Sequence, residues 1–147
     1  MKGLIRWASV LNLNLSALLD EKLAEMDINS SQFFYITRIC DMPGITQDKL
    51  FSIIYRSPSN ITRALAALEQ KGYIYKIVSP ADKRTYLLFP TPKARTCCGK
   101  ILSIINECSD AVLSDFTQEE KDIFMPLLEK AALKCVEIKR NEEEKGK

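Results

Sequence analysis

Ser57-Pro58-Ser59-Asn60-Ile61-Thr62-Arg63-Ala64-Leu65-Ala66-Ala67-Leu68-Glu69-Gln70-Lys71-Gly72 is the stretch on which the fold turns. Serine is a good N-cap, and proline at the first helical position loses an N–H that the helix would leave unpaired anyway. Ile61, Ala64, Leu65 and Leu68 then follow the i, i+3, i+4, i+7 spacing of a buried helical face. Asn60, Arg63, Ala67 and Gln70 fall on the opposite face. Lys71 and Gly72 end the helix, a cation near its C-terminus and a residue free to turn left-handed. The period then changes to two. Tyr73 to Val78 and Thr85 to Phe89 are β-branched and aromatic, and the polar turn Ser79-Pro80-Ala81-Asp82-Lys83-Arg84 joins them into a hairpin with a charged tip.

Outward from this centre the chain is helical. Thr91-Pro92 repeats the cap-plus-proline signal and opens a long helix with apolar residues at Ala94, Cys98, Ile101, Ile105, Cys108 and Val112, a heptad-like seam. Thr117 with Glu120 forms a capping box before a last helix through Ile123, Leu127, Ala131 and Ile138, with a bend expected at Pro126. Arg140 to Lys147 has no apolar residue, and 141–147 is expected to be a disordered tail. Upstream, Leu4, Ala8, Leu11, Leu15 and Leu18 mark one face of a helix over 4–24, widened by Trp7, Val10, Leu19 and Leu23. Asn29 and Gln32 have capping-box spacing before a helix from Phe33 to about Cys40, which Asp41-Met42-Pro43-Gly44 ends. Thr46 caps a short helix through Leu50, Phe51 and Ile54. The class is mainly α with a small β-hairpin wing: a winged helix-turn-helix over 29–90 between long flanking helices too apolar to be soluble alone.

Among 147 residues there is no histidine, which excludes Ser-His and Cys-His nucleophile pairs and His-ligated zinc. Five glycines form no phosphate loop. Cys40, Cys97, Cys98, Cys108 and Cys135 are odd in number and form no CxxC pair, so they are expected to be small buried hydrophobes in a reducing cytoplasm rather than disulfides or metal ligands. We expect no enzyme, no cofactor and no metal. Lys2 and Arg6 before the low-charge run Trp7–Leu19 imitate a signal peptide faintly. Asn12 and Asn14 interrupt that run, Asp20-Glu21-Lys22 close it, and it is too short to span a bilayer. A cytoplasmic protein without a membrane partner is expected.

The net charge of +2 averages two unlike regions. Residues 56–95 carry eight cations (Arg56, Arg63, Lys71, Lys76, Lys83, Arg84, Lys93, Arg95) against two anions (Glu69, Asp82), a net of +6, and the rest is −4. Such an excess on a helix-turn-helix and hairpin is the electrostatic footprint of a duplex-DNA binder. At the start of the 57–70 helix, Ser59, Asn60 and Arg63 face away from the core. Asn can read adenine and Arg guanine by paired hydrogen bonds, each worth about 1–3 kcal/mol of discrimination. Thr62 and the N–H groups near Ser57 suit phosphate oxygens. At the wing, Lys76 and Lys83 add charge, Arg84 can enter a narrow minor groove, and Asp82 would orient its guanidinium by an ion pair.

Ile61-Thr62-Arg63-Ala64-Leu65-Ala66-Ala67-Leu68-Glu69-Gln70-Lys71-Gly72-Tyr73-Ile74, Ser79-Pro80-Ala81-Asp82-Lys83-Arg84 and Thr91-Pro92-Lys93-Ala94 together resemble the MarR family of bacterial winged-helix transcriptional regulators. The Asp-x-Arg wing, Asp82-Lys83-Arg84, is its most specific mark. The resemblance covers about 28 to 95, with Pro90 where an aliphatic residue is usual and Ala94 where glycine is usual. It implies a homodimer held by residues 1–28 and 91–140, bound to a pseudopalindromic operator on double-stranded DNA. It further implies a repressor released by a small phenolic or anionic ligand between the dimer and DNA-binding regions, or secondarily by cysteine oxidation. The alternatives are a winged helix that binds protein and not DNA, and a thiol enzyme on Cys97-Cys98, which would need a lysine or carboxylate as its base.

Overall fold

In the computed structural model, which describes residues 3–147, the helix from the deciding stretch has its expected buried face. Met1 and Lys2, the latter part of the N-terminal basic signal above, lie outside the described residues. In chain order the elements are α1 (Leu4–Leu23), a 3-10 turn (Ala24–Met26), α2 (Phe33–Asp41), β1 (Ile45–Thr46), α3 (Gln47–Ile54), α4 (Pro58–Gln70), β2 (Ile74–Val78), β3 (Tyr86–Pro90), α5 (Pro92–Val112) and α6 (Gln118–Lys145). The strands form one antiparallel sheet ordered β1-β3-β2, with Ile45 opposite Leu88 and Tyr75 opposite Phe89. The chain divides into two compact units, one ending at Cys108 and the other running Ser109–Lys147.

The core of the first unit collects one face from each element. Ile61, Leu65 and Leu68 of α4 are fully buried with Tyr35, Ile36 and Ile39 of α2, Leu50 of α3, Leu88 of β3, and Ala94 and Ile101 of α5. Each fully buried Leu or Ile contributes about 2 kcal/mol of apolar transfer. The expected helix ends form. Ser57 Oγ accepts from Asn60 N–H at 3.4 Å, Thr46 Oγ1 accepts from Lys49 N–H at 3.1 Å, and Thr117 with Glu120 closes a reciprocal capping box. Gly72 takes φ +78°, the left-handed conformation its place after α4 requires.

Three expectations meet a different outcome. Asn29 and Gln32 make no capping box, because Asn29 Oδ1 accepts from the Ser31 N–H and hydroxyl instead, and Gln32 Oε1 accepts from Lys71 Nζ. A local Asx turn competes successfully with the cap. The sheet has a third strand, β1, which is two residues long and leaves no periodic trace in the sequence. The tail expected to fray is helical, since α6 continues to Lys145. Glu and Lys are strong helix formers, and i,i+4 pairs such as Lys139–Glu143 support a helix without any apolar residue. Pro126 lies inside α6, where the sequence places it.

One residue joins three elements. Tyr73 N–H donates to Leu68 O of α4, its hydroxyl donates to Met26 O in the 3-10 turn, and its carbonyl accepts from Thr91 N–H ahead of α5. Lys93 Nζ sits 4.4 Å from the centre of its ring. Burial, with Cys97 and Asp27 nearby, pushes the Tyr73 phenol up to about 12. Because the folded value lies above the ordinary 10, the neutral phenol stabilises the fold fully below pH 10, and this contribution is lost as pH rises towards 12. Tyr73→Phe is expected to cost about 1 kcal/mol near neutrality, and its deficit relative to the wild type should shrink as pH rises beyond 10, as measured by urea unfolding.

Candidate nucleic-acid interface

The exposed side of α4 begins with its first turn. Ser57 caps the helix and is half-buried, with its hydroxyl 3.4 Å from that of Ser59. Ser59, Asn60, Thr62 and Arg63 are all exposed. Ile61 and Leu65 hold the opposite face in the core, so rotation of α4 is fixed and these four side chains are presented outward.

The wing is shaped by its own polar side chains. Ser79 Oγ accepts from the Ala81 and Asp82 N–H groups, and Ser79 N–H donates to Thr85 O at 2.8 Å. Asp82 Oδ1 accepts from Arg84 N–H at 3.0 Å and lies 3.6 Å from Arg84 Nε. The expected Asp82–Arg84 pair is therefore formed at the tip, with the Arg84 side chain 94% exposed. An ion pair so exposed adds little stability, so its effect is to orient the guanidinium. Lys83 is exposed beside it. Lys76, on β2, is half-buried with its ammonium 5.6 Å over the Tyr86 ring.

Two concavities flank α4. On the wing side, Thr62, Lys76 and Arg84 meet Gln47, Asp48 and Tyr86 around a hollow of about 260 Å³. This brings three of the expected DNA-contacting residues to one place, with two cations, and a hydroxyl and an amide able to donate to an anion. On the other side, Asn60 and Arg63 meet Ser31, Tyr35, Arg56 and Ala67 around a cleft of about 560 Å³. Arg56 Nη1 donates to Ser31 O at 3.0 Å, and its guanidinium lies 5.9 Å from the Tyr35 ring centre. The Tyr35 hydroxyl is buried and has no hydrogen-bond partner. Ser59 and Lys83 line neither concavity.

Gln47, Asp48 and Tyr86 escaped the sequence reading because only the pairing of β1 with β3 carries the start of α3 to the wing. Arg56 was counted as charge, but its long-range bond to Ser31 had no local signal. Tyr35 carries no local signal of a site, since its ring is fully buried.

Fold and site define a winged-helix protein with a cationic, hydrogen-bonding face on its second helix-turn-helix helix and wing. Residues 28–86 match the MarR family model. The HTH-type transcriptional regulator YybA of Bacillus subtilis (strain 168) is 29% identical over 87% of this chain and 85% of that protein. A MarR protein from Peptoclostridium difficile DA00132 is 30% identical, with a TM-score of 0.87 over 100% of this chain and 96% of that one. A MarR family transcriptional regulator from Listeria monocytogenes, solved in complex with a 26mer DNA, is 28% identical with a TM-score of 0.85, over 93% and 91% of the two chains. The chain belongs to the MarR family, whose members are transcriptional regulators and not enzymes. Among the described residues, no helix is long and apolar enough to cross a membrane.

A buried hydroxyl without a partner costs free energy that a matching apolar group would not. Tyr35→Phe is therefore expected to leave the ligand-free protein at least as stable as the wild type, with a gain of up to about 1 kcal/mol in denaturant unfolding. A loss exceeding that size would mean that the hydroxyl has a partner in solution.

Proposed function

We propose that this regulator binds double-stranded DNA as a homodimer, on a pseudopalindromic operator, and represses transcription until a small phenolic or anionic ligand releases it. The observation that carries the proposal is the exposed face of α4 set beside the Arg84 wing tip, within the segment of net charge +6. Phosphate contacts from Thr62, Lys76, Lys83 and the α4 N-terminus at Ser57 would supply affinity. Ser59, Asn60 and Arg63 would read base edges in the major groove, and Arg84, oriented by Asp82, would enter the minor groove. The Listeria relative in complex with a 26mer DNA supports a duplex partner.

The homodimer is supported by apolar surface that one chain leaves uncovered. In α1 only Leu19 and Leu23 are buried, while Ile5 is 82% and Trp7 61% exposed. In α6 no residue is buried, and Ile123, Leu127, Leu128 and Ile138 are exposed. A soluble chain rarely carries so much contiguous apolar helix without a partner. We assign dimerisation to 1–28 and 91–140 and DNA binding to 29–90. Two-fold symmetry would place two copies of α4 about one helical turn of DNA apart.

We place the ligand in the cleft between α2 and α4, inside 29–90, rather than between the dimer and DNA-binding regions as the resemblance implies. Arg56 and Arg63 offer charge to a carboxylate or phenolate, and the Tyr35 hydroxyl offers a donor that nothing else uses. Asn60 and Arg63 line this cleft and are also the proposed base readers, so occupancy would draw them away from DNA.

Fluorescence anisotropy on fragments of the gene's own upstream region, at two salt concentrations, tests the proposal. Binding is expected to weaken steeply with salt. Arg63→Ala and Arg84→Ala are each expected to weaken it about tenfold, about 1.4 kcal/mol, with dimer mass unchanged. Salt-independent or absent binding would favour a winged helix that recognises protein instead.

A further inference from the structure

The wing-side hollow holds a charge that phosphate binding does not call for. Asp48, exposed in the first turn of α3, lines it together with Thr62, Lys76, Arg84 and Tyr86. The fold fixes this placement. Thr46 caps α3 by accepting from Lys49 N–H, and the same residue stands opposite Leu87 in the β1–β3 ladder, one residue from Tyr86. Gly44 N–H donates to Leu88 O at 2.8 Å and extends that ladder. The start of α3 therefore cannot leave the wing without breaking the sheet.

The other charged groups at the wing have contacts of their own. Asp82 lies 3.6 Å from Arg84 Nε and accepts from the Arg84 N–H. The Lys76 ammonium sits 5.6 Å over the Tyr86 ring. Asp48 makes no ion pair among the described residues, so its carboxylate shares the hollow with two cations without being bound to either. On the opposite side of α4, no carboxylate lines the larger cleft. The negative charge is thus particular to the place where a phosphate would enter.

We propose that Asp48 is a brake on DNA affinity, a fixed negative charge that repels the backbone phosphate entering the wing-side hollow. The inference rests on the DNA-binding proposal above and on the phosphate contacts it gives to Thr62 and Lys76. Lys76 and Arg84 against Asp48 leave the hollow one positive charge instead of two. Each phosphate neutralised on duplex DNA releases counterions and adds about 0.9 to the slope of log affinity against log salt. Asp48 withholds about one such neutralisation, and does so on any sequence, because phosphates carry no sequence information. The same carboxylate also stabilises α3, since an acid in the first turn of a helix complements its dipole. Removing the charge separates the two roles: stability falls, whereas affinity rises.

The test uses Asp48→Asn in the full chain, which keeps the shape of the side chain and removes its charge. In fluorescence anisotropy on the upstream fragment it is expected to bind about fivefold more tightly near 0.1 M salt, with a slope steeper by about 0.9. The same gain is expected on an unrelated duplex, and Asp48→Glu should bind as the wild type does. Asp41→Asn makes an equal change of net charge at the exposed end of α2, outside both concavities. It should change affinity by less than about twofold, because a charge away from the contact is screened. Urea unfolding should show Asp48→Asn slightly less stable than the wild type, so its tighter binding cannot come from a firmer fold. Unchanged or weaker binding by Asp48→Asn, or an equal gain from Asp41→Asn, would overturn the brake and leave the DNA-binding proposal standing. Failure of both the wild type and Asp48→Asn to bind any duplex would overturn the DNA-binding proposal and the brake with it.

Discussion

The geometry of the exposed α4 face and the wing depends on how Tyr73 is held. Its N–H closes α4, its hydroxyl reaches the 3-10 turn after α1, and its carbonyl receives Thr91 ahead of α5. Lys71 extends the same junction by donating to Asp27 O and Gln32 Oε1, and Lys93 donates back to Lys71 O. The wing begins one residue after Tyr73, so its direction is set where α4 ends. A left-handed Gly72 makes that turn possible, because a side chain there would be strained. Helix, wing and flanking helix thus share one anchor, and Thr62, Lys76 and Arg84 meet at one hollow although they come from α4, β2 and the wing turn.

That anchoring makes the two sides of α4 chemically distinct. The wing-side hollow is open to an extended polyanion, since its cations sit on exposed or half-buried side chains with donors at several heights. The other cleft is larger and backed by the buried Tyr35 ring, with one arginine already committed to Ser31 O. A backbone phosphate suits the first and a compact aromatic anion suits the second. Arg63 and Asn60 stand on the ridge beside the second cleft. The proposed ligand would need no large motion there to interfere with the proposed base reading, because it would compete for the same donors.

What the sequence made legible is local chemistry. Ser57, Pro58 and Gly72 bound α4 because a cap, a missing N–H and a left-handed turn act within a few residues of themselves. The Asp82–Arg84 pair was legible for the same reason, being two residues apart on a tight turn. What was not legible depends on distant partners. Asn29 and Gln32 had the right spacing for a capping box, but Lys71, from the far end of α4, takes the Gln32 carbonyl. β1 exists because Leu87 and Leu88 supply ladder partners. The cleft beside α2 needs Arg56 to cross to Ser31. The helical tail is hidden in the sequence for another reason: absence of apolar residues argues against burial, while Glu and Lys at helical spacing still favour a solvated helix.

The apolar residues left exposed link folding to assembly. The first unit has its own core, in which Ile61, Leu65, Leu68 and Leu88 are fully buried, and this needs no second chain. α6 is the opposite case, a 28-residue helix with no buried residue and a stripe of Ile and Leu open to solvent. Intrinsic propensity can form such a helix, but only covering that stripe makes it stable, since most helical stability in proteins comes from packing an apolar face. In the proposed homodimer that covering comes from a second copy, and folding of the terminal helices and dimerisation become one equilibrium. The proposed DNA-reading surface would then be prepared within each chain, whereas the spacing between two such surfaces would exist only once the dimer forms. Under the proposed function, affinity for one half-site would be set by α4 and the wing, and specificity for a two-fold operator by the helices at the two ends of the chain.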